Sequence, residues 1–267
     1  MLRDITLGQY YQTESVIHRL DPRVKLAGTL LFIISLFFFR NFIGYLVAAL
    51  FLAIVIKLSH VPFRFMVRGM KAIVFLLLIT VAFNLFLTPG EALISFWKLT
   101  ITKEGLEMAL TMAVRLTLLI IGSSVMTLTT TPNNLTDGME KGMRPLKVFH
   151  VPVHEVAMMM SIALRFIPIL LEETDKIMKA QIARGADFES GNLIHRAKAL
   201  IPLLVPLFIS AFRRANDLAM AMEARCYRGG EGRTKMKPLV YQRRDGLAYL
   251  CILFYLVTGI GLGRLAL

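Results

Sequence analysis

Residues 26–56 read LAGTLLFIISLFFFRNFIGYLVAALFLAIVI, and the one charge among them is Arg40. A bilayer core of about 30 Å needs roughly 20 apolar residues in a helix, because unpaired backbone groups are not tolerated in lipid. Segments 26–39 and 42–56 therefore read as two short spans joined by a tight turn at Arg40 and Asn41, extended by snorkelling of Lys25, Arg40 and Lys57. Three further segments follow the same logic. Residues 72–87 end at Thr88-Pro89-Gly90 and hold one strongly polar side chain, Asn84; residues 105–127 are interrupted by Arg115; residues 246–265 are uncharged as far as Gly263. Gly259, Gly261 and Gly263 either let a neighbouring backbone approach or mark loose packing at a helix end. The expected fold is an all-α polytopic membrane protein of about five transmembrane helices plus long cytoplasmic amphipathic helices. Its organisation is a four-span bundle over 1–127, a cytoplasmic region over 128–245 and a last span over 246–265.

Composition supports this reading. Of the 267 residues 56% are apolar and 18% charged, against about 25% charged in soluble domains, which excludes disorder, a collagen repeat and an ordinary soluble domain. Cys226 and Cys251 are the two cysteines, too few for a disulfide framework. The polar stretch 1–23 lacks the apolar core and cleavage site of a signal peptide, so Met1 is expected to begin the mature chain. The net charge of +13 points to basic cytoplasmic loops rather than to nucleic acid. With five spans, one side of the membrane holds 26 Lys and Arg and the other 4, and the short segments alone divide 8 to 4. The N-terminus and region 128–245 are thus expected on the cytoplasmic side, the chain being a multi-pass membrane protein.

Region 128–245 carries 18 basic and 12 acidic residues yet is too apolar for a linker. A short helix is expected from Asn134 to Met143. From His154 to Ala183 apolar residues recur at three- and four-residue steps, an amphipathic helical pattern whose wetter end holds Glu172, Glu173, Asp175, Lys176 and Lys179. A second such pattern runs from Leu193 to Ala224, with Pro202 and Pro206 expected to kink or break it. Helices like these bury their apolar stripes under the spans, in the interface or in a partner, which makes this side a docking platform. Methionine-rich stretches such as Met158 to Met160 fit either a repacking surface or simple gap filling.

Both long helices end alike, in Ala183-Arg184-Gly185 and in Ala224-Arg225-Cys226, with the two arginines 41 residues apart. Gly185 is a natural helix stop, and Arg228-Gly229-Gly230 stops the second helix within a turn. Two readings stand. Arginine in a last turn is favoured by the helix dipole whatever its role. Alternatively, small neighbours leave the guanidinium clear at the tip, free to form a bidentate pair with a carboxylate on another protein.

On these residues, on Leu20-Asp21-Pro22-Arg23-Val24-Lys25 leading into the first span, and on the clustered spans, the chain resembles the T component of energy-coupling factor transporters. That family is related to the membrane subunit of cobalt uptake systems. The resemblance covers nearly the whole length. It implies that each motif arginine docks into one of two ATP-hydrolysing subunits, and that the helices pass nucleotide-driven motion to a separate substrate-binding membrane subunit (S component) for vitamin uptake. It also implies that the chain is not itself an enzyme and binds no cofactor, ATP and magnesium being held by the partner ATPases. Cys226 departs from the commoner glycine, which bears only on the fine geometry of that tip.

Other chemistries are weaker. Gly138-Met-Glu-Lys-Gly142 lacks both the spacing and the Lys-Ser/Thr ending of a phosphate-binding loop. His150 and His154 stand four apart but straddle Pro152, which disrupts a chelating helical turn. An intramembrane polyprenyl transferase needs two aspartate-rich clusters for magnesium and diphosphate; Glu172-Glu173-Thr174-Asp175 and Asn216-Asp217 only sketch them. A non-transporting scaffold explains the charge but not the twin arginines. Arg115, inside a span, is expected to face the bundle interior, to bond backbone carbonyls or to contact the substrate-binding subunit, with Glu107 near enough to help. Asn84 is expected to hydrogen-bond between helices.

Overall fold

Asp21 and Pro22 start the first helix, α1 (Pro22–Phe38). The Asp21 carboxylate accepts from the Arg23 N–H, and Pro22 takes a first-turn position where its missing N–H has no consequence. The computed structural model describes residues 10–265 apart from 40, 97–98, 189, 191, 193, 195–197, 231–235 and 237. Arg40 of the expected turn, Lys98 of the charge tally and Leu193 of the second amphipathic pattern lie outside the described residues.

After α1 come α2 (Phe42–Ser59) and α3 (Phe63–Leu87), separated by His60 in a left-handed conformation and by Val61-Pro62. Thr88 leaves the helical region ahead of Pro89, as the residue before proline is forced to do. Strands β1 (Ala92–Phe96) and β2 (Leu99–Thr102) then pair antiparallel. Thr102 closes this excursion: its hydroxyl donates to the Thr88 carbonyl and caps Gly105 N–H at the start of α4 (Lys103–Thr129). Then follow α5 (Pro132–Gly142), a 3₁₀ turn at Arg144–Phe149, α6 (Val153–Ala183), α7 (Ile201–Ala224) and α8 (Arg243–Leu265). Among the described residues the regular structure is helical apart from the hairpin. Each expected span lies within a helix, the first except for its last residue, Phe39, which is extended, and most of these helices run several residues further toward the charged flanks.

Two compact units result, one of Gly8–Gly142 with Leu239–Leu267, the other containing Met143–Pro238. In the first, α1 touches α2, α4, α5 and α8, and the core gathers Phe32, Leu36, Phe39, Tyr45, Leu52, Met66, Leu118, Val125 and Tyr255. Gly259 admits the edge of the Phe39 ring, where a Cβ would stand 2.5 Å from Cζ, whereas Gly261 meets nothing. The first of these glycines thus receives a side chain rather than a neighbouring backbone. The hexapeptide around Asp21 ties one end of the bundle together. Asp21 N–H donates to Asp245 Oδ1 at 2.9 Å, Arg23 Nη2 to the Leu239 carbonyl, and Lys25 Nζ to the His18 and Thr129 carbonyls.

Four described helices are long and apolar enough to cross a bilayer: Phe42–Ser59, Lys103–Thr129, Val153–Ala183 and Arg243–Gly261. At 17 residues α1 is short for the task, and the apolar part of α3 is Ile73–Leu87. The sequence reading placed α6 in the cytoplasmic region. By length and composition it also qualifies as a span, because the stretch around Met158 to Leu171 holds one charge, Arg165.

Candidate functional site

The two Ala-Arg-small motifs close their helices in the same way. Ala183 is the last residue of α6 and Arg184 its cap; Gly185 N–H donates to Ile182 O at 2.9 Å and Ala186 N–H reaches back to Gln181 O at 2.9 Å. At α7, Ala224 is last and Arg225 the cap; Cys226 N–H donates to Glu223 O at 2.8 Å and Tyr227 N–H to Met222 O at 3.0 Å. This pair of bonds defines the Schellman ending, which requires a left-handed residue just past the cap. Gly185 supplies it with φ 89° and Cys226 with φ 57°. The second helix therefore stops at Cys226 itself, not at Gly229-Gly230 as the glycine pair implied. Both arginines are exposed, and among the described residues neither is in an ion pair.

Among the described residues, two side-chain hydrogen bonds tie α6 to α7. Arg214 Nη2 lies 3.2 Å from Glu173 Oε2, and Gln181 Nε2 donates to the Pro202 carbonyl at 3.3 Å. The second has a local cause: Pro206 has no N–H, so the Pro202 carbonyl lacks its helical partner and accepts from Gln181 instead. Because a later residue of α6 meets an earlier one of α7, the helices run antiparallel. The arginine tips thus lie at opposite ends of the pair. Glu173 precedes Arg184 by 11 residues and Arg214 precedes Arg225 by 11, so at 1.5 Å per residue each tip stands about 16 Å from the clamp and the two are about 30 Å apart. Pro202 opens α7 rather than breaking it, while Pro206 and, in α6, Pro168 are carried inside their helices. Glu173, one of the carboxylates that sketched a metal cluster, is engaged by Arg214.

Arg115 belongs to the other unit. Its Nε and Nη2 both donate to the Tyr45 hydroxyl, at 2.9 and 2.6 Å, and its guanidinium stands over the Phe37 and Tyr45 rings. Tyr45 passes this on by donating to the Phe39 carbonyl. Arg115 therefore faces the bundle interior through an aromatic intermediary, and Glu107 is exposed and not paired with it. Asn84 donates to the Thr80 carbonyl at 2.8 Å, a bond within its own helix in place of the interhelical one expected. The sequence reading missed Asp245, which is 2% exposed and accepts from both Asp21 N and Gln242 N. One acidic residue at the first turn of an apolar helix was its only signal.

Residues 13–236 match the model of a family described as cobalt transport protein. The chain is 56% identical to the energy-coupling factor transporter transmembrane protein EcfT of Clostridium kluyveri, over 97% of each chain. It is 53% identical to that of Ruminiclostridium cellulolyticum over 97% of this chain and 94% of the relative. To that of Bacillus subtilis it is 47% identical, over 92% and 93%.

Proposed function

The chain belongs to the cobalt transport protein family, among its energy-coupling factor transporter transmembrane proteins, and from that premise we propose that it carries the stroke of two ATPase subunits to a separate substrate-binding membrane subunit. The observation that supports this is the pair of helix ends: two exposed arginines, each at the cap of a long helix and on the same backbone geometry, held about 30 Å apart by an antiparallel clamp. A dipole preference accounts for one arginine at a helix end. It does not account for repetition of the whole ending at a spacing that lets two separate proteins engage at once.

In this reading Arg184 and Arg225 each enter an acidic groove on one ATPase, where the planar fork makes two parallel bonds to a carboxylate. Closure of the paired ATPases on nucleotide moves the tips, and the clamp at Glu173 and Arg214 converts tip motion into a shift of one helix against the other. That shift reorients the substrate-binding subunit, whose cargo is of the vitamin class. ATP and magnesium sit on the ATPases and this chain performs no catalysis. The N-terminus and both arginine-tipped helix ends face the cytoplasm, as the excess of basic residues on that side supports.

The test is co-expression of the tagged chain with its ATPases and substrate-binding subunit. Arg184→Ala and Arg225→Ala should each weaken ATPase retention and uptake, since removing one partner of a desolvated charge pair costs about 2–5 kcal/mol. The double substitution should abolish both, and an intact complex with normal uptake in the double variant refutes the proposal. Lysine at either position should also impair uptake, since it keeps the charge but loses the fork.

A further inference from the structure

A groove of about 310 Å³, at the small end of the range for ligand sites, opens at the end of the bundle where α1 and α8 begin. Its walls are almost wholly apolar, among them Gly28, Phe32, Leu52, Val125, Leu247 and Cys251. All of these except Phe32, which stands just past the middle of α1, come from the first half of α1 or α8 or the second half of α2 or α4, so the groove lies within one leaflet's depth of the membrane. From Lys25 at its mouth to Phe32 is seven residues of helix, about 10 Å, against about 15 Å for half a bilayer core.

The mouth is cationic. Lys25 and Arg244 line it, and around them sit two buried carboxylates, Asp21 and Asp245. Arg23 pairs with Asp21 at 3.5 Å, and Lys25 lies within electrostatic reach of both acids. Two cations thus answer two anions, which leaves Arg244 without a counter-charge. Its Nε is buried and finds no hydrogen-bond acceptor among the described residues. A guanidinium with no counter-charge at the mouth of an apolar groove favours an anion beside it, bound through the part of the fork that the groove leaves open.

We propose that the groove binds an anionic membrane phospholipid, one acyl chain lying along Gly28 and Phe32 and the phosphate held at Arg244 beside Lys25. The apolar walls ask for a hydrocarbon chain, and the position of the cations at the helix starts is that of a headgroup. The excess positive charge selects the headgroup: a zwitterionic lipid brings its own ammonium toward Arg244 and Lys25, whereas phosphatidylglycerol does not. The site is independent of the arginine tips.

The test uses the full-length chain, with the subunits that accompany it, in nanodiscs of phosphatidylcholine alone or in equal mixture with phosphatidylglycerol, and native mass spectrometry of the released protein. One phosphatidylglycerol should be retained about tenfold over phosphatidylcholine, a difference of about 1.4 kcal/mol. Arg244→Gln should bring the two lipids level, Arg244→Lys should keep much of the preference, and Cys251→Trp, which fills the groove, should remove retention of either. Unfolding temperatures in phosphatidylcholine alone confirm that the variants are folded. Equal retention of both lipids by the unaltered chain overturns the proposal, as does a preference that survives both Arg244→Gln and Cys251→Trp.

Discussion

Cys226 does at the second tip what Gly185 does at the first, at a cost the glycine does not carry. A left-handed residue with a Cβ is disfavoured by about 1–2 kcal/mol, and Cys226 holds φ 57° because the bonds from Cys226 and Tyr227 to α7 enforce it. Replacing Cys226 with glycine should relieve that strain, raising the unfolding temperature slightly and leaving ATPase retention intact. Cys226→Val, with its branched Cβ, should disorder the tip and reduce retention toward the level of Arg225→Ala. Retention equal in the glycine and valine variants rules out a role for the helix ending in presenting the arginine. A second residue-scale dependence lies at Tyr45, whose hydroxyl takes both bonds from Arg115. Tyr45→Phe strands a partly buried guanidinium, and loss of an acceptor for a buried donor costs about 1–3 kcal/mol. Thermal unfolding of the purified chain should register it, while Phe37, which stacks on Arg115 without a hydrogen bond, should tolerate leucine better.

At the scale of elements, segment 10–20 shows how a stretch with no regular structure is fastened to a helix bundle. Tyr11 N–H donates to the Leu128 carbonyl, and the His18 ring bridges Ser15 Oγ at 2.7 Å and the Tyr11 carbonyl at 3.0 Å. Since a carbonyl only accepts, Nε2 carries a proton, and in the neutral ring that burial favours, Nδ1 accepts from the Ser15 hydroxyl. Burial pushes His18 below its usual 6.5 despite the pull of the Tyr11 carbonyl, and the Lys25 cation adds to the lowering. The unfolded chain therefore takes up a proton more readily than the folded one. The contribution is fully present above about pH 6.5 and is lost as the pH falls through the lower folded value. Unfolding temperatures measured near pH 7.5 and near pH 5.5 should fall on acidification, and His18→Gln, which keeps a donor and does not titrate, should flatten that response. None of this was legible in sequence: the ring's partners Ser15 and Tyr11 are near neighbours, but the bond that fastens the segment to the bundle, from Tyr11 to Leu128, joins residues far apart in the chain. The helices were legible, since length and apolar content decide them locally, and so was Arg184 with its glycine. What sequence did not reveal was set by tertiary contact. The Gly90 to Thr102 excursion folds into a hairpin closed by Thr102 on Thr88, and Asp245 is buried where an isolated acid at a helix start reads as a simple cap. Asn84 turned inward to its own helix for the opposite reason, a Thr80 carbonyl lying one turn away.

For the molecule as a transducer, what matters is how the tips are oriented relative to the clamp. The Glu173 and Arg214 side chains are 29% and 37% exposed, so their pair is worth little as stability, typically under about 1 kcal/mol. Its value lies in register: it fixes the rotation of each helix 11 residues before the arginine at its end. One alanine inserted between Lys176 and Ile177 leaves that pair in place and turns Arg184 by about 100° while moving it about 1.5 Å. Four inserted alanines turn it by only about 40° but displace it by about 6 Å. If docking depends on the direction in which the guanidinium points, uptake should fall with the single insertion about as far as with Arg184→Ala and fall less with four. If reach alone matters, the order reverses. The matching insertion between Asp217 and Leu218 should do the same at Arg225, and either single insertion should leave the other ATPase bound, because the two tips are separate attachments about 30 Å apart. Loss of both ATPases from one insertion contradicts two-point attachment and makes the helix pair one continuous docking face.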